Sequence, residues 1–424
     1  MSFRLPRISY LVIGFVMNLM LGTVYSWSVF KSALTNPSGA YHASNFEANL
    51  PFAVALATFA VGMVFAGRLV DKHGPRKVAM LGGLLVGVGY MLSSLMDSTP
   101  WPLVTLTITY GIIVGLGIGF AYNPPIPTAV RWYPARNGLA SGIVVMGFGL
   151  SPLFTAPIAN ALIGWYGIAT ASLILGATFL VVLVGLGSLL AFPPADWQPP
   201  AEVVAKAKRA WKALAEVDTR AMLRSPMFWS AWLLYVLGTA GGFMVIGNAK
   251  DIAKEIGWIT DVVLLTAAVQ VLAVFNSGGR PLFGRVADVW GPKQALLLMY
   301  AVLLGAMLAL AVSTSHVTVY AGIALTGMVF GGFLAVMPAL ATLFFGTKNL
   351  GTNYGVLFTG YGSGAIVALF AGGWIRDILG SYVSAFYAGA ILSAVGLLIS
   401  LRVGPPRPTA ARAEVEPEPE VTRA

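Results

Sequence analysis

Apolar positions along this chain fall in long unbroken stretches, not in the one-faced or alternating patterns of a soluble domain. Stretches of spanning length, about 20 residues, recur at 8–30, 50–70, 78–96, 102–128, 138–163, 167–192, 227–249, 262–286, 294–313, 318–345, 353–375 and 381–402. A helix that is apolar all round belongs in a membrane or deep in a helical core. The pattern predicts an all-α membrane protein with twelve transmembrane helices. The run 8–30 exceeds the apolar core of a signal peptide and reads as the first span. An even number of spans puts both termini on one side.

Polar punctuation divides the chain. The longest break between spans predicts a linker over 193–226, with a six-helix bundle before it (1–192) and another after it (227–402). Within the linker, Ala201 to Leu223 has the pattern of a basic amphipathic helix. Two readings fit it, a helix lying on the membrane surface and a solvated linker helix, of which the second is favoured. The Pro- and Glu-rich end, 403–424, reads as a disordered tail.

Composition sharpens this picture. The chain is 57% hydrophobic and only 10% charged, against about 25% charged for soluble domains. It has no cysteine, and its three histidines (His42, His73, His316) are far apart, so no metal cluster or other cofactor site is expected. The net charge of +10 invites a nucleic-acid partner, but the basic residues lie between apolar runs and not along one soluble face. If the N-terminus is cytoplasmic, only Lys31, Lys250, Lys254 and Arg376 fall on the opposite face and Arg280 falls inside a span; the other 21 of the 26 Lys and Arg lie on the cytoplasmic side. Such a bias orients the chain. The expected setting is a lipid bilayer, with both termini and the linker in the cytoplasm and a single chain as the working unit.

The chain repeats itself. GRLVDKHGPRK (67–77) is echoed by GRVADVWGPKQ (284–294), so that Gly67, Arg68, Asp71, Gly74 and Pro75 match Gly284, Arg285, Asp288, Gly291 and Pro292 at an offset of 217. Gly142, Gly147, Gly149 and Gly167 match Gly355, Gly360, Gly362 and Gly380 at an offset of 213. Parallel six-helix halves are a transporter plan in which substrate sits near the midplane between them. The ladder Gly111, Gly115, Gly119 permits close helix contact and is assigned no chemistry.

The segment GRLVDKHGPRK resembles the signature loop of the major facilitator superfamily. That resemblance implies a cytoplasmic gate latch involving Gly67, Asp71, Arg76 and, in the second copy, Gly284 and Asp288. Asp71 ends a span, where it can pair with a cation or a helix N-terminus. The plainer reading is a topology-setting turn.

Arg280 carries the most information. Eight residues from Asp288, it lies about 12 Å along the helix from that end, inside a hydrocarbon core about 30 Å thick. A charge there costs about 2.5–3.5 kcal/mol even on a lenient scale. The Asp and Glu residues all fall in loops, in the tail or at helix ends, so an intramembrane ion pair is not offered. A guanidinium without a counter-ion is a fork for a substrate carboxylate; the alternatives are backbone carbonyls, water and snorkelling. Asn276 shares its helix face and reads as a site residue or as helix–helix glue.

Longer stretches resemble the oxalate/formate antiporter and monocarboxylate porter branch of that superfamily. They are NLMLGTVYSWSVF (18–30), GLGIGFAYNPPIPTAVRWYPARNGLASGIVVMGFG (115–149), MVIGNAKDIAKEIG (244–257), FNSGGRPLFGRVAD (275–288) and TKNLGTNYG (347–355). The resemblance implies that Arg280 binds the substrate carboxylate and that aromatics box the substrate. Tyr25 and Tyr122 fall at matching motif positions. Phe333 and Phe358 are offered on the helices that supply such rings, with ordinary packing an equal alternative.

Two departures matter. The oxalate carrier has a second buried cation, a lysine, in the helix matching 353–375, and none is present here. A single cation suits a single negative charge, because dianionic oxalate would keep an uncompensated charge in low dielectric. The eukaryotic monocarboxylate transporters place an aspartate where this chain has Asn276, so a proton step on that pair is not expected. The resemblance therefore implies a transporter of a small organic anion, a monocarboxylate such as lactate, pyruvate or a short fatty acid, in the cell (inner) membrane. Proton symport by alternating access is the first reading and anion exchange the second. A sensor that binds without moving its ligand is a remote third, and no nucleophile–base or metal constellation supports an enzyme.

Overall fold

The computed structural model describes residues 5–194, 197–198, 216–246, 248–368 and 381–403. Most of the predicted linker helix and the predicted tail, like Arg376 and Gly380, lie outside the described residues. Regular structure among the described residues is helical throughout. The main helices are α1 (Arg7–Leu34), α2 (Asn45–His73), α3 (Pro75–Ser98), α4 (Pro102–Trp132), α5 (Asn137–Leu189), α6 (Pro226–Ile246), α7 (Val262–Trp290), α8 (Pro292–Ala311), α9 (His316–Phe345), α10 (Leu350–Leu357) and α11 (Tyr382–Arg402). Among the described residues, nine of them are long and apolar enough to cross a bilayer.

Two differences from the pattern concern boundaries. The runs predicted at 138–163 and 167–192 join in α5, a 53-residue helix broken at Gly167, whose φ of 79° and ψ of 171° are not helical. That backbone region is open almost only to glycine, so one residue turns the chain where hydropathy shows only a short gap. The span predicted at 353–375 is described only in part, as α10 and the helical residues 359–368.

The two repeated loops fold alike for a stated reason. Gly74 (φ 81°) ends α2 and Gly291 (φ 93°) ends α7. Pro75 and Pro292 then open α3 and α8, where a missing N–H costs nothing. Each Gly-Pro pair thus stops one helix and starts the next. α1 tightens to a 3₁₀ turn over Gly22–Ser26, and α4 widens to a π-helical stretch over Thr107–Val114. Such irregular turns often mark functional segments.

Packing follows the echoes. α5 lies along α7, and α10 lies against α2. A Cβ on Gly67 would strike the Gly351 carbonyl, and one on Gly284 would strike the Gly138 carbonyl. The 217-offset glycines therefore contact residues that are themselves related by the 213 offset. From Gly322 to Phe345 α9 is buried almost all round, so it forms an inner wall of the second half. Large apolar side chains such as Val12, Phe65, Val181 and Leu398 point outward. In water they would form a sticky surface far larger than soluble proteins show; in a bilayer they meet lipid.

Candidate functional site

At one end of the bundle the two repeated aspartates cross between the halves. The Asp288 carboxylate, at the end of α7, accepts hydrogen bonds from the backbone N–H groups of Gly138 (2.7 Å) and Leu139 (2.8 Å), which open α5. Asp71, at the end of α2, accepts from the N–H groups of Gly351 (3.1 Å) and Thr352 (2.7 Å) and from the Thr352 hydroxyl (2.8 Å), at the start of α10. A carboxylate on a helix N-terminus satisfies orphan donors and meets the positive end of the dipole. The sequence pattern allowed Asp71 a cation or a helix N-terminus; it has both, for an Arg131 Nη2 lies 3.8 Å away. Arg131 also donates to the carbonyls of Thr347 (2.9 Å) and Lys348 (3.3 Å). Arg76 is exposed on the first turn of α3 and takes no part in these contacts among the described residues. Arg131, which sits in the quoted 115–149 stretch, holds the place beside Asp71 instead.

Farther in, α7 carries Arg280 with no exposed surface; it is the one fully buried charged side chain among the described residues. Its Nε and Nη2 donate to Asn276 Oδ1 at 3.4 and 3.3 Å, and its Nη1 donates to the Val145 carbonyl on α5. Asn276 is therefore an orienting partner one turn before Arg280, as the spacing predicts, and one backbone carbonyl shares the charge. No carboxylate lies within ion-pair distance of Arg280 among the described residues. A guanidinium has five N–H groups. These hydrogen bonds use three of them, and the Tyr25 hydroxyl also lies within interaction range of the guanidinium.

Glycines make room for this side chain. A Cβ on Gly142 would lie 2.5 Å from the Arg280 carbonyl, and one on Gly149 would lie 3.1 Å from its Cζ and 2.7 Å from Ser277 Oγ. The residue matching Arg280 at the 217 offset is Met63, which packs beneath Gly355 as Arg280 packs beneath Gly142. The positive charge is thus carried by one half only.

Aromatic rings from both halves meet around Arg280. Its Cζ stands 5.9 Å from the Phe148 ring. Phe148 contacts Tyr25 (5.0 Å), Tyr122 (5.2 Å) and Phe59 (6.0 Å). Phe358 faces Phe59 at 5.1 Å, Tyr122 at 5.7 Å and Tyr361 at 4.7 Å. The hydroxyls of Tyr25 and Tyr361 are hydrogen-bonded across the halves, and Tyr25 lies in the field of Arg280. The structure therefore brings together Arg280, Asn276, Tyr25, Tyr122 and Phe358. Phe333 is placed elsewhere. Its ring packs on Tyr300 at 5.3 Å and beneath Gly238, while Phe330, one turn earlier, faces Phe243 and Tyr361. Phe59, Phe148, Tyr235, Tyr354 and Tyr361 join the cluster without having been singled out by sequence. Phe148 and Tyr354 lie inside quoted motifs; Tyr235 and Phe59 carry no signal beyond being aromatic in a span.

A central guanidinium, a ring cage shared by two halves and paired aspartates on helix N-termini at one end form a recognisable arrangement. The Major Facilitator Superfamily profile matches residues 11–313 and 232–424. The chain belongs to the major facilitator superfamily. This transporter is 26% identical to the oxalate:formate antiporter of Oxalobacter formigenes over 416 residues, covering 96% of the chain and 94% of that protein. It is also 26% identical to monocarboxylate transporter 13 of Bos taurus over 357 residues, covering 82% and 78% respectively. Among solved structures, that of the transporter FucP in the outward conformation superposes with a TM-score of 0.68 over 94% of this chain and 100% of that one, at 16% identity. That likeness concerns the fold. The superfamily consists of transporters and not enzymes, and the chain is a multi-pass membrane protein.

Proposed function

We propose that this transporter carries a small monocarboxylate of the lactate or pyruvate type, by proton symport and alternating access of two six-helix halves. The observation that carries the reading is Arg280, fully buried, held by an amide and a carbonyl, and without a carboxylate partner among the described residues. A substrate carboxylate landing on the guanidinium neutralises a charge that is costly at this depth. Neutralisation makes closure around the loaded site favourable. With one buried cation, a monoanion leaves the site balanced and a dianion does not. The similarity to a monocarboxylate transporter and to an oxalate:formate antiporter supports a carboxylate cargo.

The halves rock about this site in the proposed cycle, with the Asp71 and Asp288 contacts closing the cytoplasmic side. Entry of an anion against a negative interior costs about 2.3 kcal/mol per 100 mV, and a co-transported proton removes that cost. Asn276 cannot titrate and arginine does not release its proton in this range. The proton therefore travels by a route other than the Arg280–Asn276 pair.

Reconstituted proteoliposomes test the coupling. Lactate uptake should rise when the outside is made acidic relative to the lumen and should collapse with a protonophore. The similarity to the antiporter supports the second reading, exchange, in which uptake requires a lumen preloaded with carboxylate and ignores the pH gradient.

A further inference from the structure

Buried hydroxyls in this core fall into two groups. Tyr300 donates to the Leu234 carbonyl, and Tyr25 and Tyr361 satisfy each other. Tyr122, Tyr235 and Tyr354 have fully buried hydroxyl oxygens that form no hydrogen bond of good geometry among the described residues. These three belong together. Their ring centroids lie 5.7, 6.1 and 5.9 Å from the Phe358 ring. The Tyr354 hydroxyl lies close enough to those of Tyr122 and Tyr235 to interact with both, though without good hydrogen-bond geometry. Tyr122 and Tyr354 also lie in the field of Arg280. They come from α4, α6 and α10, so both halves of the chain contribute.

Packing alone does not call for these oxygens. Phe59, Phe148, Phe330 and Phe358 fill neighbouring positions of the same cage as plain rings. Buried hydroxyls that meet one another only at poor geometry are under-satisfied, which is unfavourable, and three of them around one ring need an account. Thr23, Tyr90 and Thr326 carry further buried hydroxyls without a hydrogen bond of good geometry, but Tyr90 packs on Tyr110 and Phe179 and not on the cage.

We propose that the hydroxyls of Tyr122, Tyr235 and Tyr354 form a second recognition subsite beside Arg280 that reads a hydroxyl or oxo oxygen on the substrate. The idea rests on the carboxylate reading of Arg280 and goes beyond it. Arg280 takes the charge, and the tyrosines select oxygen-bearing monocarboxylates over plain aliphatic ones. A phenol both donates and accepts, so the subsite accommodates an alcohol or a ketone. Sites built to hydrogen-bond a substrate oxygen reject the analogue that lacks it, because the site's own polar groups then stay unpaired.

The test is competition among lactate, pyruvate and propionate, the last being lactate without its hydroxyl, for labelled pyruvate uptake in proteoliposomes. The full-length transporter should prefer lactate or pyruvate to propionate by about tenfold or more. Tyr235→Phe and Tyr354→Phe should each cut that preference several-fold, and Tyr122→Phe combined with both should bring it close to one. A merely structural role would weaken all three acids together and keep the ratio, which overturns the proposal. No preference in the unmodified protein overturns it too, while Arg280-dependent propionate binding would leave the monocarboxylate reading standing. If none of the three acids competes, both readings fall.

Discussion

Replacing Asp288 by asparagine removes a charge from two short hydrogen bonds, 2.7 and 2.8 Å long, to the first amides of α5. Hydrogen bonds to a charged acceptor contribute about 1.5–3 kcal/mol each, against about 1 kcal/mol for neutral ones. Asparagine keeps one oxygen for one amide and turns an NH₂ group toward the other. The expected loss at this contact is about 2–3 kcal/mol, a shift of roughly 30- to 150-fold in the closed-to-open ratio of that end at 1.4 kcal/mol per tenfold. Asp71→Asn should act similarly through Gly351 and Thr352, with Arg131 retaining part of the contact. The chain has no cysteine, so spin labels can be placed cleanly. Lys77 and Gln294 are exposed and matched by the 217 offset, one on each half beside its latch. In a Lys77→Cys, Gln294→Cys background, pulsed dipolar distance measurements should show a longer-distance population growing in either asparagine variant. Unchanged distance distributions in both would refute the idea that these carboxylates hold the two halves together.

A glycine pair supplies a second prediction. Gly142→Val places a Cβ 2.5 Å from the Arg280 carbonyl, so it should lower the melting temperature in detergent and reduce transport, in line with about 1–3 kcal/mol for overpacking. Gly305→Ala meets nothing within 4 Å in the middle of α8, and should hold or raise the melting temperature because alanine favours helix by about 1 kcal/mol.

Among the described residues, the nine helices long and apolar enough to cross a bilayer were legible because lipid imposes length and uniform apolarity. The paired Asp71 and Asp288 loops were legible as a pair of echoes. What the echoes left unread is that they meet, with Gly67 against Gly351 and Gly284 against Gly138; offsets reveal kinship, not contact. Arg280 and Asn276 stood out because charge and amide are rare inside a span and the helical spacing places them on one face. The ring cage was harder. Tyr25 and Tyr122 fall at motif positions, whereas Phe358 and Phe333 stand only on helices that supply such rings, and of these two Phe358 joins the cage while Phe330 faces it in place of Phe333. α9 is buried on nearly every side, so its pattern has no polar face to say which ring looks inward. Tyr235 and Tyr354 were invisible for a related reason: an apolar span hides a tyrosine whose hydroxyl matters among those that only pack. Arg131 was counted as one more cytoplasmic charge, since its reach to Asp71 and the 347–348 carbonyls is a fact of tertiary structure alone.

The central claim is that Arg280 takes the substrate carboxylate, and titration calorimetry on the purified transporter tests it most directly. The account predicts saturable pyruvate binding that weakens by about 100-fold or more in Arg280→Ala, the scale of losing a two-pronged charged contact. It also predicts clear weakening in Arg280→Lys, which keeps the charge but not the fork, with both variants monodisperse. Binding of pyruvate to Arg280→Ala with unaltered affinity would contradict it.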